Sequence, residues 1–403
     1  MALVDFRKQV EYHCVHCAAC RTAYGPMIPI CPPGETFGFA SYFASGRYHI
    51  ARGLMDGALT ISDQLLKTVY SCTLCGACDQ QCYQLTGFKP TDVSLELKRD
   101  LVEKGHVLPQ VARMLRNVEA VGNPYKELPK DRGKWAEGTK ISQYEGQEYL
   151  YYIGCVGSYA PIGQKAARAL GDVLLEGGLS FGILGPREIC DGNEVNMLGE
   201  RRMFDMLVEK NTKVFSDLGV SKIICLSPHS YNAFKNYYQN KFEVFHYTEI
   251  LRDLIKKGRL NVARGLNAKV TYHDPCLLGR RNGVYEAPRE ILNAIGGIEI
   301  VEMEGNRENA FCCGGGGGNF YIDVFSGRKR TPARIRARQA YETGASILAV
   351  ACPICSVMLS DAIKSEDLDE KLVIKDVSEI VRDSLLLGGP KGQKGIDKHR
   401  ATH

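Results

Sequence analysis

The stretch ILAVACPIC, residues 347–355, is an apolar run that ends in two cysteines separated by two residues. A run of this length is typical of a buried strand, and Pro353 marks the turn that follows it. Two further segments lead from a strand-like run to cysteine, namely VTYHDPC (270–276), and IEIVEM (298–303) ahead of FCCGG (311–315). Because sites in parallel sheets form where the strands end, we expect the thiols of all three segments to meet. The five cysteines of this predicted site are Cys276, Cys312, Cys313, Cys352 and Cys355.

Five sulfur ligands exceed the four that a zinc ion takes, so we expect an iron–sulfur cluster here. If that cluster is catalytic, the same five cysteines are the catalytic residues. The glycine run 314–318 permits positive φ and close backbone approach, and we expect Gly314, Gly315 and Gly316 beside the bound group. A phosphate-binding loop is the alternative, but no Lys-Ser or Lys-Thr pair follows the glycines. His273 is also assigned to the cofactor site, where we favour orientation of the loop over proton donation.

Two CxxCxxC triplets lie near the N-terminus, CVHCAAC (14–20) and CTLCGAC (72–78). In two-cluster ferredoxins such a triplet holds three corners of a cubane, and the fourth cysteine comes from beyond the other triplet. We therefore expect two [4Fe-4S] cubanes. The first is assigned to Cys14, Cys17, Cys20 and Cys82, and the second to Cys72, Cys75, Cys78 and Cys31. Two structural zinc sites are the alternative, but zinc motifs rarely use triplets of this spacing with a detached fourth ligand.

The chain repeats itself from residue 149 onward. In the first copy LYYI (150–153), FGIL (181–184) and KIICL (222–226) match the three strand-like runs of the second. The trailing helices also correspond, TEILRD (248–253) against SEIVRD (378–383), each with a capping hydroxyl at its start.

The two copies differ at the predicted ligand positions. Asp191, Ser227 and Ser230 stand in the first copy where the second has cysteine, so we expect the first copy to have lost its cluster. The alternative is a zinc ion with nitrogen and sulfur ligands. Its ligands would be Cys155, Cys190, Cys225 and His229.

Strand-like runs that alternate with helical stretches predict two pseudo-symmetric α/β halves, each with a small parallel sheet and with cysteine motifs at the strand C-terminal ends. An α-helical, ferredoxin-like module precedes them. A polar, Pro- and Gly-rich segment marks the boundary between module and repeats. The predicted divisions are a two-cluster ferredoxin-type domain (1–125), a linker (126–148), a degenerate first repeat (149–262), an intact second repeat (263–387) and a basic flexible tail (388–403).

Composition narrows the class of protein. The chain has 403 residues, of which 44% are hydrophobic and 16 are cysteine, and a formal net charge of +5. Sixteen cysteines without a signal-peptide pattern predict a cytoplasmic, metal-binding protein, because cytosolic thiols stay reduced. No apolar run is long enough to span a bilayer, so we expect membrane contact only through a partner. The charge is too small to predict a nucleic-acid partner, and the thiolates of the clusters would offset it.

The combined motifs resemble one family. A two-cluster ferredoxin module ahead of Cys276, Cys312-Cys313-Gly314 and Cys352/Cys355 resembles the D-type subunit of heterodisulfide reductases. It is similar, too, to the iron–sulfur subunits of glycolate oxidase and anaerobic glycerol-3-phosphate dehydrogenase. The resemblance runs from Cys14 to about Leu387 and implies a noncubane [4Fe-4S] cluster on the five cysteines, which in heterodisulfide reductases attacks disulfides. That family often keeps all cysteines of the first copy, which this chain does not.

We therefore expect an iron–sulfur electron-transfer subunit of an anaerobic multisubunit oxidoreductase, active only in its complex. Electrons would pass between the two cubanes and the cluster of the second repeat. A catalytic disulfide reductase subunit is a second hypothesis, and a metal-stapled interaction scaffold without redox function is a third. The chain shows no GxGxxG turn for a flavin or nicotinamide, so hydride chemistry is expected on a flavoprotein, hydrogenase or dehydrogenase partner.

Overall fold

The structure is a computed structural model that describes residues 3–8, 10–11, 14–239, 241–262 and 266–387. The predicted basic tail, 388–403, lies outside the described residues. The N-terminal part is helical, and prolines occupy the first turn of three of its helices, where the missing N–H costs nothing. Its α-helices are α1 (Pro32–Phe37), α2 (Ala44–Met55), α3 (Asp63–Tyr70), α4 (Ala77–Thr86), α5 (Pro90–Glu103) and α6 (Pro109–Val121). A 3-10 helix, Leu3–Phe6, packs its two buried residues, Leu3 and Phe6, into an apolar core with these helices.

The first repeat forms a four-stranded parallel sheet in the order β2-β1-β3-β4. The central strands are fully buried at Leu150, Tyr151, Ile223 and Ile224, as expected for strands covered on both faces. Its strands are β1 (Tyr149–Tyr152), β2 (Phe181–Gly182), β3 (Lys222–Cys225) and β4 (Glu243–His246). Its helices are α7 (Gly154–Tyr159), α8 (Pro161–Glu176), α9 (Asn193–Met197), α10 (Arg201–Asp217), α11 (Pro228–Tyr237) and α12 (Tyr247–Lys256).

The second repeat has a sheet of the same order, β6-β5-β7-β8, again with parallel neighbours. Its strands are β5 (Ala268–Tyr272), β6 (Ile298–Ile300), β7 (Ile347–Val350) and β8 (Val373–Asp376). Its helices are α13 (Glu286–Ala294), α14 (Asn319–Ile322), α15 (Pro332–Glu342), α16 (Pro353–Ser365) and α17 (Val377–Leu387). The matching topologies confirm the predicted fold class of two α/β halves behind a helical module.

The two repeats share one apolar core, which runs from the β1 and β3 side chains to those of β5 and β7. Polar contacts cross the same boundary: the Tyr247 hydroxyl donates to Asp376 Oδ1 over 2.7 Å, and the Ser378 hydroxyl donates to the Ala166 carbonyl over 3.2 Å. The predicted linker, 126–148, contains a 3-10 helix, Pro129–Ala136, whose Arg132 and Trp135 are buried. The predicted domain boundaries themselves stay a prediction.

No helix in the described part of the chain combines the length and the apolar character needed to cross a bilayer.

Candidate metal centres

The five cysteines predicted for the second repeat lie together where its central strands end. Cys276 follows β5, and Cys352 caps α16 directly after β7. The Sγ atoms of Cys276 and Cys312 are 3.9 Å apart, and those of Cys313 and Cys355 are 3.3 Å apart. All five side chains are at most 8% exposed. The sheet topology thus gathers thiols from three segments that are distant in sequence.

His273 completes this group. Its side chain, Cys313 and Cys355 offer ligand atoms that all lie within 4.8 Å of one another. Its Nδ1 accepts a hydrogen bond of 3.2 Å from Arg336 Nε, while its buried Nε2 has no nitrogen or oxygen partner in the described part of the chain. A donor set of thiols with one imidazole suits soft metals. The residues present therefore fit a bound iron–sulfur cluster.

The glycine run packs closely against protein. A Cβ on Gly315 would lie 2.5 Å from Ile354 Cγ2, and one on Gly316 would lie 2.9 Å from the Thr73 carbonyl oxygen. Gly314 has a φ of +91°, and a Cβ on it would lie 2.8 Å from Pro332 Cβ. Glycine is thus needed because the run is pressed against α16, α15 and the second cysteine triplet. Contact of these glycines with a bound group stays a prediction.

Two arginines hold the second triplet against this site. Arg280 Nε donates to the Cys75 carbonyl over 2.8 Å, and Arg281 Nη2 donates to the Leu74 carbonyl over 3.0 Å. Arg281 also forms an ion pair of 3.2 Å with Asp79. The thiol of Cys75 is in hydrogen-bond contact with that of Cys312. The sequence gives no sign of this role for the arginine pair, because nothing in it shows that the triplet packs here.

The cysteines of the ferredoxin-like module fall into two groups. Electrostatic interactions link Cys31 to Cys72 and Cys75, and Cys78 to all three. Burial raises the pKa of the Cys31 thiol to about 12, so this thiol stays protonated unless a cation binds it. The donor set of the group, four buried thiols, suits one four-iron cluster.

The other group surrounds a small cavity. The cysteines that line it are Cys14, Cys17, Cys20 and Cys82. His16 and Ala18, the residues that flank Cys17, have left-handed φ values of 55° and 64°, which turn the loop around this space. Cys17 is exposed, unlike the cysteines of the other two groups. Four thiols around one cavity suit a second four-iron cluster.

The first repeat places its predicted zinc ligands differently. Cys155 and Cys190 are hydrogen-bond partners, but Cys225 is fully buried on β3, and no cysteine is among the groups that shift its pKa. His229 Nδ1 instead lies 2.6 Å from Glu194 Oε1. Within the described ranges these four residues do not form a group of ligand atoms within 4.8 Å. The geometry therefore offers no support for the zinc alternative, because the His229 imidazole pairs with the Glu194 carboxylate and not with the three thiols.

His229 reaches the site of the other repeat. Its ring is in hydrogen-bond contact with the Cys352 side chain, and Glu194 Oε2 accepts from Gly318 N–H over 2.6 Å. Burial lowers and the Glu194 carboxylate raises the pKa of His229, and the net shift is well above its usual value. Sequence reasoning missed Glu194, although it lies four residues after Cys190 in the segment that corresponds to the glycine run.

A buried ion pair stands beside Cys155. Arg132 Nη2 lies 2.7 Å from Glu188 Oε1, and Arg132 Nη1 lies 3.5 Å from Cys155 Sγ. Arg132 belongs to the predicted linker, and no motif in the sequence signals its role.

Comparison with known proteins matches two families to these regions. The family described as cysteine-rich domain, CCG, matches residues 149–235 and 270–360, and the 4Fe-4S dicluster domain matches residues 11–84. A probable iron-sulfur-binding oxidoreductase FadF of Bacillus subtilis is 34% identical over 401 residues, which cover 95% of this chain and 56% of that protein. The EtfAB:quinone oxidoreductase of Syntrophomonas wolfei is 34% identical over 332 residues, which cover 78% of this chain and 46% of that protein. The chain thus spans about half the length of these two relatives.

A third relative aligns over nearly equal shares of both proteins. It is the D-type subunit of the dihydromethanophenazine:CoB--CoM heterodisulfide reductase of Methanosarcina barkeri, 31% identical over 332 residues. The aligned region covers 79% of this chain and 78% of that relative.

Proposed function

Since the chain belongs to the family of iron–sulfur proteins that includes the D-type heterodisulfide reductase subunits, with a 4Fe-4S dicluster domain ahead of two cysteine-rich domains, we propose that it is an electron-transfer subunit of a larger oxidoreductase. In this proposal it carries three four-iron clusters. Two are cubanes in the N-terminal module, and the third, of the noncubane type, lies in the second repeat. Such clusters accept and release single electrons when bound.

The ligands proposed for each cluster are those expected from the sequence. Cys14, Cys17, Cys20 and Cys82 hold the first cubane, and Cys72, Cys75, Cys78 and Cys31 hold the second. Cys276, Cys312, Cys313, Cys352 and Cys355 hold the third cluster. Support comes from the separate grouping of the thiols, including the cavity that the first four share. We include no zinc in the first repeat.

One observation carries the proposal: the second triplet packs directly on the five-thiol site. Arg280 and Arg281 bind the carbonyls of Cys75 and Leu74, and the thiols of Cys75 and Cys312 are in contact. Because electron tunnelling weakens steeply with distance, this contact supports transfer between the second cubane and the third cluster.

The exposure of the thiols supports a site at which a partner exchanges electrons with the chain. Cys17 is exposed, whereas the five cysteines of the second repeat are at most 8% exposed. We propose that a partner subunit of flavoprotein, hydrogenase or dehydrogenase type exchanges electrons at the first cubane. The deep burial of the five thiols favours transfer over direct attack on a disulfide substrate, and the catalytic alternative is ranked second for that reason.

The proposal is tested by cluster counting in paired cysteine variants of the anaerobically purified full chain. We expect iron and acid-labile sulfide for three four-iron clusters, and three reducible components in an EPR-monitored titration. The variants Cys14→Ser/Cys17→Ser, Cys72→Ser/Cys78→Ser and Cys312→Ser/Cys313→Ser should each lose one four-iron cluster and one component.

Cys225→Ser is the matched control, since Cys225 is buried but lies apart from all three groups. It should keep every component and the iron content of the wild type. Zinc in place of iron, or iron that gives no reducible signal, would instead support the scaffold hypothesis.

A further inference from the structure

One pair of thiols has no part in the three proposed centres. Cys155 follows β1 and Cys190 lies beyond β2, and their side chains are hydrogen-bond partners. Both line one small cavity together with Asp191, His229 and Tyr321. The two thiols are therefore in contact with each other and share access to one space.

The charges around the pair differ between its two sulfurs. The guanidinium nitrogens of Arg132 lie 3.5 Å and 3.6 Å from Cys155 Sγ, whereas the Asp191 carboxylate is the charged group next to Cys190. Hydrogen bonding with Cys190 lowers the pKa of Cys155, and the same bond raises the pKa of Cys190. A cation beside a thiol favours its thiolate, which is the reactive form.

Arg132 is itself fixed in place. It is 2% exposed and pairs with Glu188, whose carboxylate also accepts from the N–H groups of Ile153 and Gly154 over 3.1 Å and 2.9 Å. The fold therefore buries an ion pair against Cys155 in spite of the desolvation penalty. An inert thiol in an apolar core would not require such a pair.

A metal is a poor alternative occupant of this position. Asp191 and Ser230, which stand where the second repeat has cysteines, are hydrogen-bonded to each other over 2.7 Å. Only two thiols remain, and a structural zinc site needs four ligands.

We propose that Cys155 and Cys190 form a redox-active dithiol–disulfide couple that stores an electron pair beside the five-thiol site. In reduction, the S–S bond accepts two electrons and breaks. One proton binds Cys190, which leaves Cys155 as the thiolate and Cys190 as the thiol. Oxidation reverses each change. The electrons come singly from the iron–sulfur clusters, and in this respect the inference rests on the proposed function.

A chain of contacts joins the couple to those clusters. Asp191, next to Cys190, accepts from the Ser230 hydroxyl, and the neighbouring His229 ring contacts Cys352. The couple would turn a path of one-electron carriers into one that can deliver electrons in pairs.

The test equilibrates the anaerobic, cluster-loaded full chain with mixtures of reduced and oxidised dithiothreitol. After an acid quench and denaturation, free thiols are alkylated and the chain is digested with trypsin. The three diagnostic peptides, each with one cysteine, are 141–165, 188–201 and 223–235. We expect the first two to be joined by a disulfide in oxidising mixtures and separate in reducing ones. The third, which contains Cys225, should be alkylated in every mixture.

Electron counting gives the second measurement. In a coulometric titration, Cys155→Ser and Cys190→Ser should each take up two electrons per chain fewer than the wild type, with iron content and EPR components unchanged. Alkylation of both peptides in every mixture, or equal electron uptake, would overturn the couple. Loss of iron in either variant would overturn it as well, because the two cysteines would then be cluster ligands. Iron content and EPR of the wild type report separately on the proposed function.

Discussion

At the scale of single residues, the side chains that matter most around the five-thiol site lie outside its cysteine motifs. His229 contacts Cys352 from the first repeat, and Arg280 holds the second triplet by its backbone. The spacing of cysteines predicts where the thiols meet, because ligand motifs follow the strand ends. It gives no sign of Glu194 or Arg132, and it offers His229 only as a zinc ligand of the first repeat, because the partners of all three are brought close only by tertiary packing.

Replacement of His229 should change the reduction potential of the third cluster without removing the cluster. Hydrogen bonds to ligand sulfurs raise the reduction potential of iron–sulfur clusters, so His229→Phe should lower the midpoint potential of that centre. His229→Gln, whose amide can still donate, should retain part of the effect. An EPR-monitored redox titration measures the shift, and His246→Phe is the control, since His246 is also buried but caps α12. Equal potentials in all variants would show that the His229 contact has no influence.

Arg289 offers a stability prediction on the loop that carries Cys276. It forms a buried ion pair with Asp274 at 2.7 Å and a partly exposed one with Glu302 at 2.6 Å. Arg289→Met leaves the buried Asp274 carboxylate without its cation and should destabilise the chain by about 3–5 kcal/mol. Arg330→Met breaks the exposed pair with Glu35 and should cost less than about 1 kcal/mol. Anaerobic urea denaturation compares the two; equal midpoints would refute the buried-pair account.

At the scale of elements, the sequence predicts the order of strands and helices well, because short apolar runs and helix-starting residues recur in both repeats. It misplaces the caps of the last helix in each. Thr248 and Ser378 were the predicted capping hydroxyls, but α12 and α17 begin at Tyr247 and Val377. His246 instead caps α12, and Asp376 Oδ1 accepts from Ser378 N–H over 2.9 Å. The cap lies two residues earlier because β4 and β8 end in the polar side chains of His246 and Asp376, which accept from the first N–H groups of the helices.

These two positions predict opposite pH dependences. Burial raises the pKa of Asp376 from 3.8 to about 7, so the folded state binds more protons than the unfolded state between those values. The stability that Asp376 contributes is therefore complete below pH 3.8 and is lost as the pH rises through about 7. Burial lowers the pKa of His246 from 6.5 to about 3, so its contribution is present above pH 6.5 and is lost as the pH falls towards 3.

The measurement is the free energy of unfolding of the wild type minus that of Asp376→Asn or His246→Asn, across pH 4 to 8. The difference should fall with pH for Asp376→Asn and rise with pH for His246→Asn, each by up to about 1.4 kcal/mol per pH unit. Parallel slopes for the two variants would contradict the assigned protonation states.

At the scale of the whole molecule, Lys98 joins the three parts of the chain. Its fully buried ammonium donates to the carbonyls of Cys72, Met197 and Gly317 over 2.9, 3.3 and 3.2 Å. One residue each comes from the helical module, the first repeat and the second. The sequence predicts the three parts but not their arrangement, because a single lysine on an amphipathic helix ordinarily faces solvent.

Lys98→Met should loosen this junction. It leaves three buried carbonyls without their shared donor, at a cost of about 1–3 kcal/mol for each unsatisfied group. Cluster absorbance should then be lost at lower urea concentration than helical circular dichroism, whereas the two signals should coincide in the wild type. Lys104→Met, at the residue that follows α5 and with an exposed ammonium paired to Asp100, should behave like the wild type. Coincident loss of both signals in Lys98→Met would show that the junction does not depend on this lysine.

The bond from Glu194 to the Gly318 N–H has a further consequence for the history of the duplication. A repeat that has lost its own ligands would ordinarily be free to drift, because nothing selects for its former site. Here its side chains support the glycine run of the repeat that kept all five thiols. Selection on the second repeat therefore also acts on Glu194 of the first.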